Sequence, residues 1–420
     1  MYSILITIFL LAWSGIAICM NILFLTIFEI DSISERGIYQ DLLREFIKHG
    51  HMVSIVCPAE RRYGKRTRLY ESTSSQILKV RTLNLTKTHW FEKGFATVLL
   101  EHQYKSAIKK YFYNLKFDVV IYSTPPVTLT KVIKYIKKRD NAVSYLLLKD
   151  IFPQNAVDLG ILSPRSPVYF FFKHKERMLY RISNNIGCMS QANVEYLLKH
   201  NKQLDICRVH ICPNSITPSM LDKMIGNRAD IRNKYNIPIH SKVFINGGNL
   251  GKPQCVPFIV ECLRLNQNKD DRYFLICGSG VDANILQEYI KIEAPANVKM
   301  INLLPEDKYA EILSACDVGL IFLDHRFTIP NFPSRLLAYM EKSLPVLACT
   351  DPNTDIGKII EDGTFGWWSE SDDPEKFSNL IDKICGQDTT PLGLCGRRYL
   401  EKNFLAVQSA KIIMDCITTS

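Results

Sequence analysis

Short runs of consecutive apolar residues alternate with stretches in which apolar positions recur every three or four residues, down nearly the whole chain. Ile22–Thr26 reads as a strand, and a loop with Glu35-Arg36-Gly37 follows it. The next helix puts Leu42, Leu43, Phe46 and Ile47 on one face and closes on Gly50. Met52–Cys57 is the next strand, stopped by Pro58. Strand, helix, strand in that order seeds a parallel sheet. Further strands are expected at Val119–Tyr122, Ser144–Leu148, Ile186–Met189 and Arg208–Ile211, with a helix at Val127–Lys138. After Pro213-Asn214-Ser215 the alternation starts again, with strands at Val243–Asn246, Tyr273–Cys277, Val298–Leu303, Val318–Phe322 and Val346–Ala348. Helices at Lys308–Ala315 and Arg335–Met340 lie between them, and a last helix spans about Gly396–Cys416.

This pattern predicts an α/β chain of two doubly wound, Rossmann-like domains facing each other across a cleft, with ligand at the carboxyl ends of the strands. Residues 20–205 form the first domain, 206–395 the second, and 396–420 a helix that crosses back to the first. Residues 1–19 stand apart. They read either as an extension upstream of a true start at Met20 or as an N-terminal membrane anchor, and no Lys or Arg precedes them to make a secretory signal.

Composition narrows the chemistry. The 420 residues are 47% hydrophobic and 22% charged, as in a globular protein. The net charge of +10 gathers in Arg61-Arg62, Lys65-Arg66, Lys109-Lys110 and Lys137-Lys138-Arg139, a basic surface suited to anionic lipid or a phosphorylated acceptor. No DNA or RNA module is readable, so nucleic acid is not an expected partner. Thirteen scattered cysteines with no C-x-x-C pair point to a reducing compartment and to no zinc site.

Three glycine- and cation-bearing turns carry the candidate chemistry. In Asn246–Lys252, Gly247, Gly248 and Gly251 let backbone amides approach a ligand, and Lys252 offers a mobile cation. Cys277-Gly278-Ser279-Gly280 turns directly after its own strand. Ser334, after Pro333, is placed to cap the helix that begins at Arg335 and to aim free amides at an anion. Each alone is equally a plain turn or capped helix; their order is what suggests a phosphate-bearing ligand.

That order, with Gly50-His51-x-Val53, Pro213-Asn214, Ala315-Cys316-Asp317-Val318 and Leu344-Pro345-Val346, resembles the retaining glycosyltransferases of family 4, which have the GT-B architecture. Pro125-Pro126 and Lys149-Asp150-Ile151-Phe152-Pro153 further resemble the subgroup containing O-antigen L-fucosamine transferases. The resemblance implies that Gly248 and Lys252 hold a donor diphosphate, that Thr328–Asn331 and Ser334 lie near phosphates and sugar, and that Leu304 passes under the base. Gly278 and Gly280 would wall the same pocket, Arg335 would add charge, Gly37 would approach from the first domain, and Asp150 would orient the acceptor. Asp150, Lys252 and Arg335 are the expected catalytic groups. The family's pair of glutamates falls here on Pro330 and Ala338, with Glu341 one turn further on, and its glycine-loop arginine is Asn249. No D-x-D motif occurs, so neither metal nor any other cofactor is expected.

The implied activity is retaining transfer of a sugar from a nucleoside-diphosphate donor, of UDP-N-acetylhexosamine type, to a lipid-linked glycan in O-antigen or capsule synthesis. The place would be the cytoplasmic face of the plasma membrane. A UDP-sugar epimerase on the same plan, or a catalytically weak nucleotide-sugar-binding partner subunit, are the alternatives.

Overall fold

The computed structural model describes residues 19–85, 90–219 and 227–419, so the apolar segment at 1–18 lies outside the described residues. Fourteen strands are described: β1 Asn21–Leu25, β2 Met52–Glu60, β3 Arg68–Glu71, β4 Ser75–Thr82, β5 Val119–Ser123, β6 Val143–Leu148, β7 Asn185–Cys188, β8 Val209–Ile211, β9 Lys242–Asn249, β10 Arg272–Ser279, β11 Val298–Ile301, β12 Val318–Phe322, β13 Val346–Thr350 and β14 Gly366–Glu370. They form two sheets, ordered β3-β4-β2-β1-β5-β6-β7-β8 and β11-β10-β9-β12-β13-β14. All neighbours are parallel except β3 and β4. Each sheet reverses direction of growth beside its first strand, β1 or β9, which opens a crevice at the strands' carboxyl ends.

Both sheets are covered on both faces, which explains runs that are apolar without alternation. Leu23 and Leu25 enter one core of the first sheet, while Ile22 and Phe24 enter the other. In the second sheet, Ile245 and Phe244 divide in the same way. Leu323, Phe327 and Ile329 leave the second domain to join a core cluster of the first, so the two domains share packed apolar surface.

Four expectations need correction. Pro58 does not end its strand, since β2 runs to Glu60. The pairing of β2 with β1 stops at Val56, and beyond it only β4 is alongside, so a residue without an N–H fits. The first domain does not stop at residue 205, because β8 pairs with β7 in the first sheet. The last helix is two, Thr390–Asn403 and Ala406–Thr418, parted at Phe404-Leu405. Only the second of these crosses back: Ala410, Ile413, Met414 and Ile417 pack with Leu42, Leu43 and Phe46 in one buried cluster. Finally, β3, β4 and β14 were not expected. Their sequences are polar or mixed because each pairs near or at a sheet edge.

Candidate active site

The site is built where β9 and β10 end together. β9 continues past Asn246 through both glycines, and the last pairs are Gly247 with Cys277, Gly248 with Gly278 and Asn249 with Ser279. Glycine is needed here for two reasons. A Cβ on Gly278 would lie 2.0 Å from the Gly248 carbonyl oxygen, and one on Gly280 would lie 2.1 Å from that of Leu250. These two glycines therefore let two strand exits touch. Gly248 itself adopts φ +112°, a region that favours glycine, and faces the guanidinium of Arg335.

Arg335 is half-buried, and its Nη1 donates to Asn246 Oδ1 at 2.7 Å. The amide nitrogen of Asn246 is buried and has no partner among the described residues. Lys252 begins a short 3-10 turn, Lys252–Gln254, whose Gln254 accepts from Gly251 N and Asn249 Nδ2. The lysine side chain is 53% exposed, and its Nζ sits 3.2 Å from Asp282 Oδ1. A cation so exposed can leave that carboxylate for a stronger anion at little cost. Sequence reading overlooked Arg326. It is half-exposed, bound at 2.9 and 2.6 Å to the fully buried Asp324, whose own N–H donates to Pro253 O beside Lys252. The signal was an Asp-x-Arg directly after β12.

The Ser334 expectation fails. Its hydroxyl caps nothing, because the residue is already in helical conformation and Leu336 bonds back to Pro333. Thr328–Asn331 follows Arg326 into the junction with the first domain. It joins the domains: Thr328 N–H and Oγ1 donate to Asp158, Asn193 Nδ2 donates to Pro330 O at 2.8 Å, and Ile329 is fully buried. Leu304 is half-buried against the second core just after β11, while Leu303 is exposed.

On the first-domain side, Gly37 (φ +149°) starts the helix Ile38–Lys48, and its carbonyl accepts from Asp41 N. Asp150 follows β6 and is half-buried. Both carboxylate oxygens accept from Asn155 Nδ2, at 2.9 and 2.7 Å, and its backbone N–H and C=O both meet Thr124 Oγ1. The same short helix that carries Asn155 ends at Asp158, the anchor of Thr328, so Asp150 stands beside the domain junction.

Glu341 lies elsewhere. It is buried and accepts from Arg36 at 2.6 Å, Ser219 N at 2.7 Å and Ser219 Oγ at 2.9 Å. Burial works against its charge, but the Ser219 amide and the Arg36 guanidinium outweigh it and hold its pKa below the usual glutamate value. It is committed to holding the domains together and does not replace the carboxylate absent at Ala338. Asp351, after β13, is fully buried. Burial pushes its pKa up to about 7 against the pull of the Asn353 and Thr354 amides. His51 is buried in its turn, where burial lowers its pKa, and His325 is half-exposed.

Residues 227–391 match the family Glycosyl transferases group 1. Over 383 residues the chain is 23% identical to a probable glycosyltransferase, WbjE, of Pseudomonas aeruginosa, covering 86% of this chain and 92% of the relative. Among solved structures, sucrose-phosphate synthase from Thermosynechococcus elongatus superposes with TM-score 0.71 at 14% identity, over 96% of this chain and all of that one. WaaG, a glycosyltransferase involved in lipopolysaccharide biosynthesis, gives 0.67 at 15% identity, over 93% and 99%. Anabaena HepE in complex with UDP-glucose gives 0.66 at 13%, over 96% and 100%. The chain is a glycosyltransferase of the GT-B architecture, and its second domain carries the group 1 family signature.

Proposed function

We propose that the cleft binds a nucleoside-diphosphate sugar of UDP-N-acetylhexosamine type and transfers the sugar, with retention, to a lipid-linked glycan in O-antigen or capsule synthesis. The observation that carries the reading is the placement of Gly248 and Arg335 at the end of β9, with Lys252 in the turn that follows it. Loss of a nucleoside diphosphate builds negative charge on the leaving oxygen, and cations already held in place stabilise it without reorganising. Arg335 is fixed by Asn246, and Lys252 is free to close on the phosphates. Asp150, immobilised by Thr124 and Asn155, would orient the acceptor hydroxyl. HepE has been solved with UDP-glucose and with UDP, which favours a UDP donor, and the role of WaaG in lipopolysaccharide biosynthesis favours a glycan acceptor of that kind.

Peripheral binding at the cytoplasmic membrane face is part of the proposal. Lys105, Lys131, Lys134, Lys138 and Arg139 surround Tyr135 on the helices Trp90–Tyr111 and Thr130–Asp140, a cationic surface that suits anionic lipid. No helix among the described residues is long and apolar enough to cross a membrane.

The test is a panel of labelled UDP-sugars incubated with and without lipid extracted from membranes. Nucleotide release that depends on the lipid, with label in the lipid phase, is expected. Epimerised donor, or tight donor binding with no turnover under any acceptor, would refute transfer and support one of the alternatives.

A further inference from the structure

A second cavity, of about 490 Å³, opens at the opposite end of the first sheet from the cleft. It lies where β6, β7 and β8 begin, between the end of the helix Pro167–Ile182 and the end of the crossing helix. Its lining includes Lys137, Arg181, Asn184, Cys207, Arg208 and Cys416, and no carboxylate side chain among the described residues. Three cations thus line one space in which the described residues place no carboxylate side chain. Lys137 Nζ donates to Ser144 Oγ, Ile182 O and Asn184 Oδ1, all neutral acceptors. Arg208 donates through Nε to Asn184 O and through Nη2 to Tyr180 O, also neutral. These bonds satisfy the last carbonyls of the helix Pro167–Ile182, but they leave the charges uncompensated. Burial and the nearby Arg208 together hold the Lys137 amine below the usual lysine pKa, which an anion would reverse. Arg181 is exposed, and its side chain makes no hydrogen bond or ion pair among the described residues.

We infer that this cavity is a binding site for a phosphorylated small molecule, with Arg181 and Arg208 gripping the phosphate and Lys137 fixing the field behind it. Arginine's planar fork matches phosphate oxygens in pairs. The volume exceeds that of bare phosphate and falls within the roughly 300–1,000 Å³ of small-molecule sites. Ser183, Asn184 and Asn185 provide neutral polar lining for the remainder of the ligand. The site is separate from the sugar-donor cleft and does not depend on what that cleft binds.

Cys207 is exposed and lines the cavity, and Cys19 is exposed outside it, so the two give a reporter and a control. Alkylation of each by iodoacetamide is followed by peptide mass spectrometry as inorganic phosphate is added. At about ten times its dissociation constant phosphate fills about nine-tenths of the sites, and Cys207 alkylation should slow about tenfold while Cys19 is unchanged. Lys252→Ala, which removes a cation from the donor cleft, should keep the protection. Arg181→Gln, whose side chain supports no other group, should abolish it, and Arg208→Gln should do the same. The inference is overturned by absence of protection in the unmodified protein, by equal protection in Arg181→Gln, or by equal protection from potassium chloride at the same ionic strength.

Discussion

Arg36→Gln is the sharpest probe of how the two domains are held. Arg36 precedes the first helix, and its guanidinium reaches 2.6 Å from Glu341 in the other domain. The carboxylate is only 5% exposed, but the arginine side chain is 37% exposed. Breaking a fully buried pair costs about 3–5 kcal/mol, and an exposed pair about 0–1 kcal/mol. Solvent screens this arginine, and Ser219 still donates twice to Glu341 after the change. A loss of about 1–2 kcal/mol at pH 7 follows. The pH dependence has a definite sign. The folded state holds Glu341 below its ordinary value of 4.5, so its stabilising contribution is present above that value and is lost as pH falls through the folded pKa. The deficit of Arg36→Gln should therefore be full at neutral pH and shrink below 4.5. Urea unfolding at several pH values measures it, and amide exchange at Ser219, whose N–H donates to Glu341, should speed up at neutral pH. An unchanged midpoint at pH 7, or a deficit that persists undiminished in acid, would refute the reasoning.

Other outcomes follow from the same geometry. Lys252→Ala should cut turnover about 10²-fold while leaving the unfolding midpoint within error, since its exposed ion pair with Asp282 contributes little. Asp150→Asn should keep its bond network with Thr124 and Asn155 yet lower turnover by about 10²-fold with donor affinity unchanged, read by acceptor-dependent nucleotide release against donor titration. Gly278→Ala forces a methyl group within 2.0 Å of the Gly248 carbonyl, so it should destabilise the second domain by about 1–3 kcal/mol and weaken UDP binding in the same protein. Asp351 titrates at about 7 when folded and lower when unfolded, so its ionisation favours unfolding as pH rises. Asp351→Asn should accordingly raise the melting temperature at pH 8, and the gain should fade as pH drops through 7.

The doubly wound plan was legible because parallel strands covered on both faces leave unbroken apolar runs, and because glycines at 248, 278 and 280 mark where two strand exits touch. Edge elements were not legible. β3 and β14 carry mixed polar sequences with no strong period, and only their neighbours decide their state. The site divided similarly. Lys252 and Asp150 could be singled out as candidates because each lies just beyond a strand end. The contact of Arg36 and Ser219 with Glu341 could not be read in this way, since 305 positions separate Arg36 from Glu341 and no local pattern signals a contact made by the docking of two domains. Ser334 misled because a serine before a helix is a good cap only when its backbone is extended, and Pro333 has already turned the chain.

The crossing helix also sets a timetable. Ile413, Met414 and Ile417 complete the apolar cluster that Ile22, Phe24 and Phe46 begin, so that face of the first sheet is only partly covered, by the helix Ile38–Lys48, until the crossing helix is made. Translation proceeds at about 5–20 residues per second, so the stretch between β8 and the crossing helix takes on the order of 10–40 s. For that interval the part of the cluster that Ile413, Met414 and Ile417 will cover lies open in the nascent chain. Truncating the last helix should yield insoluble protein rather than a smaller working enzyme.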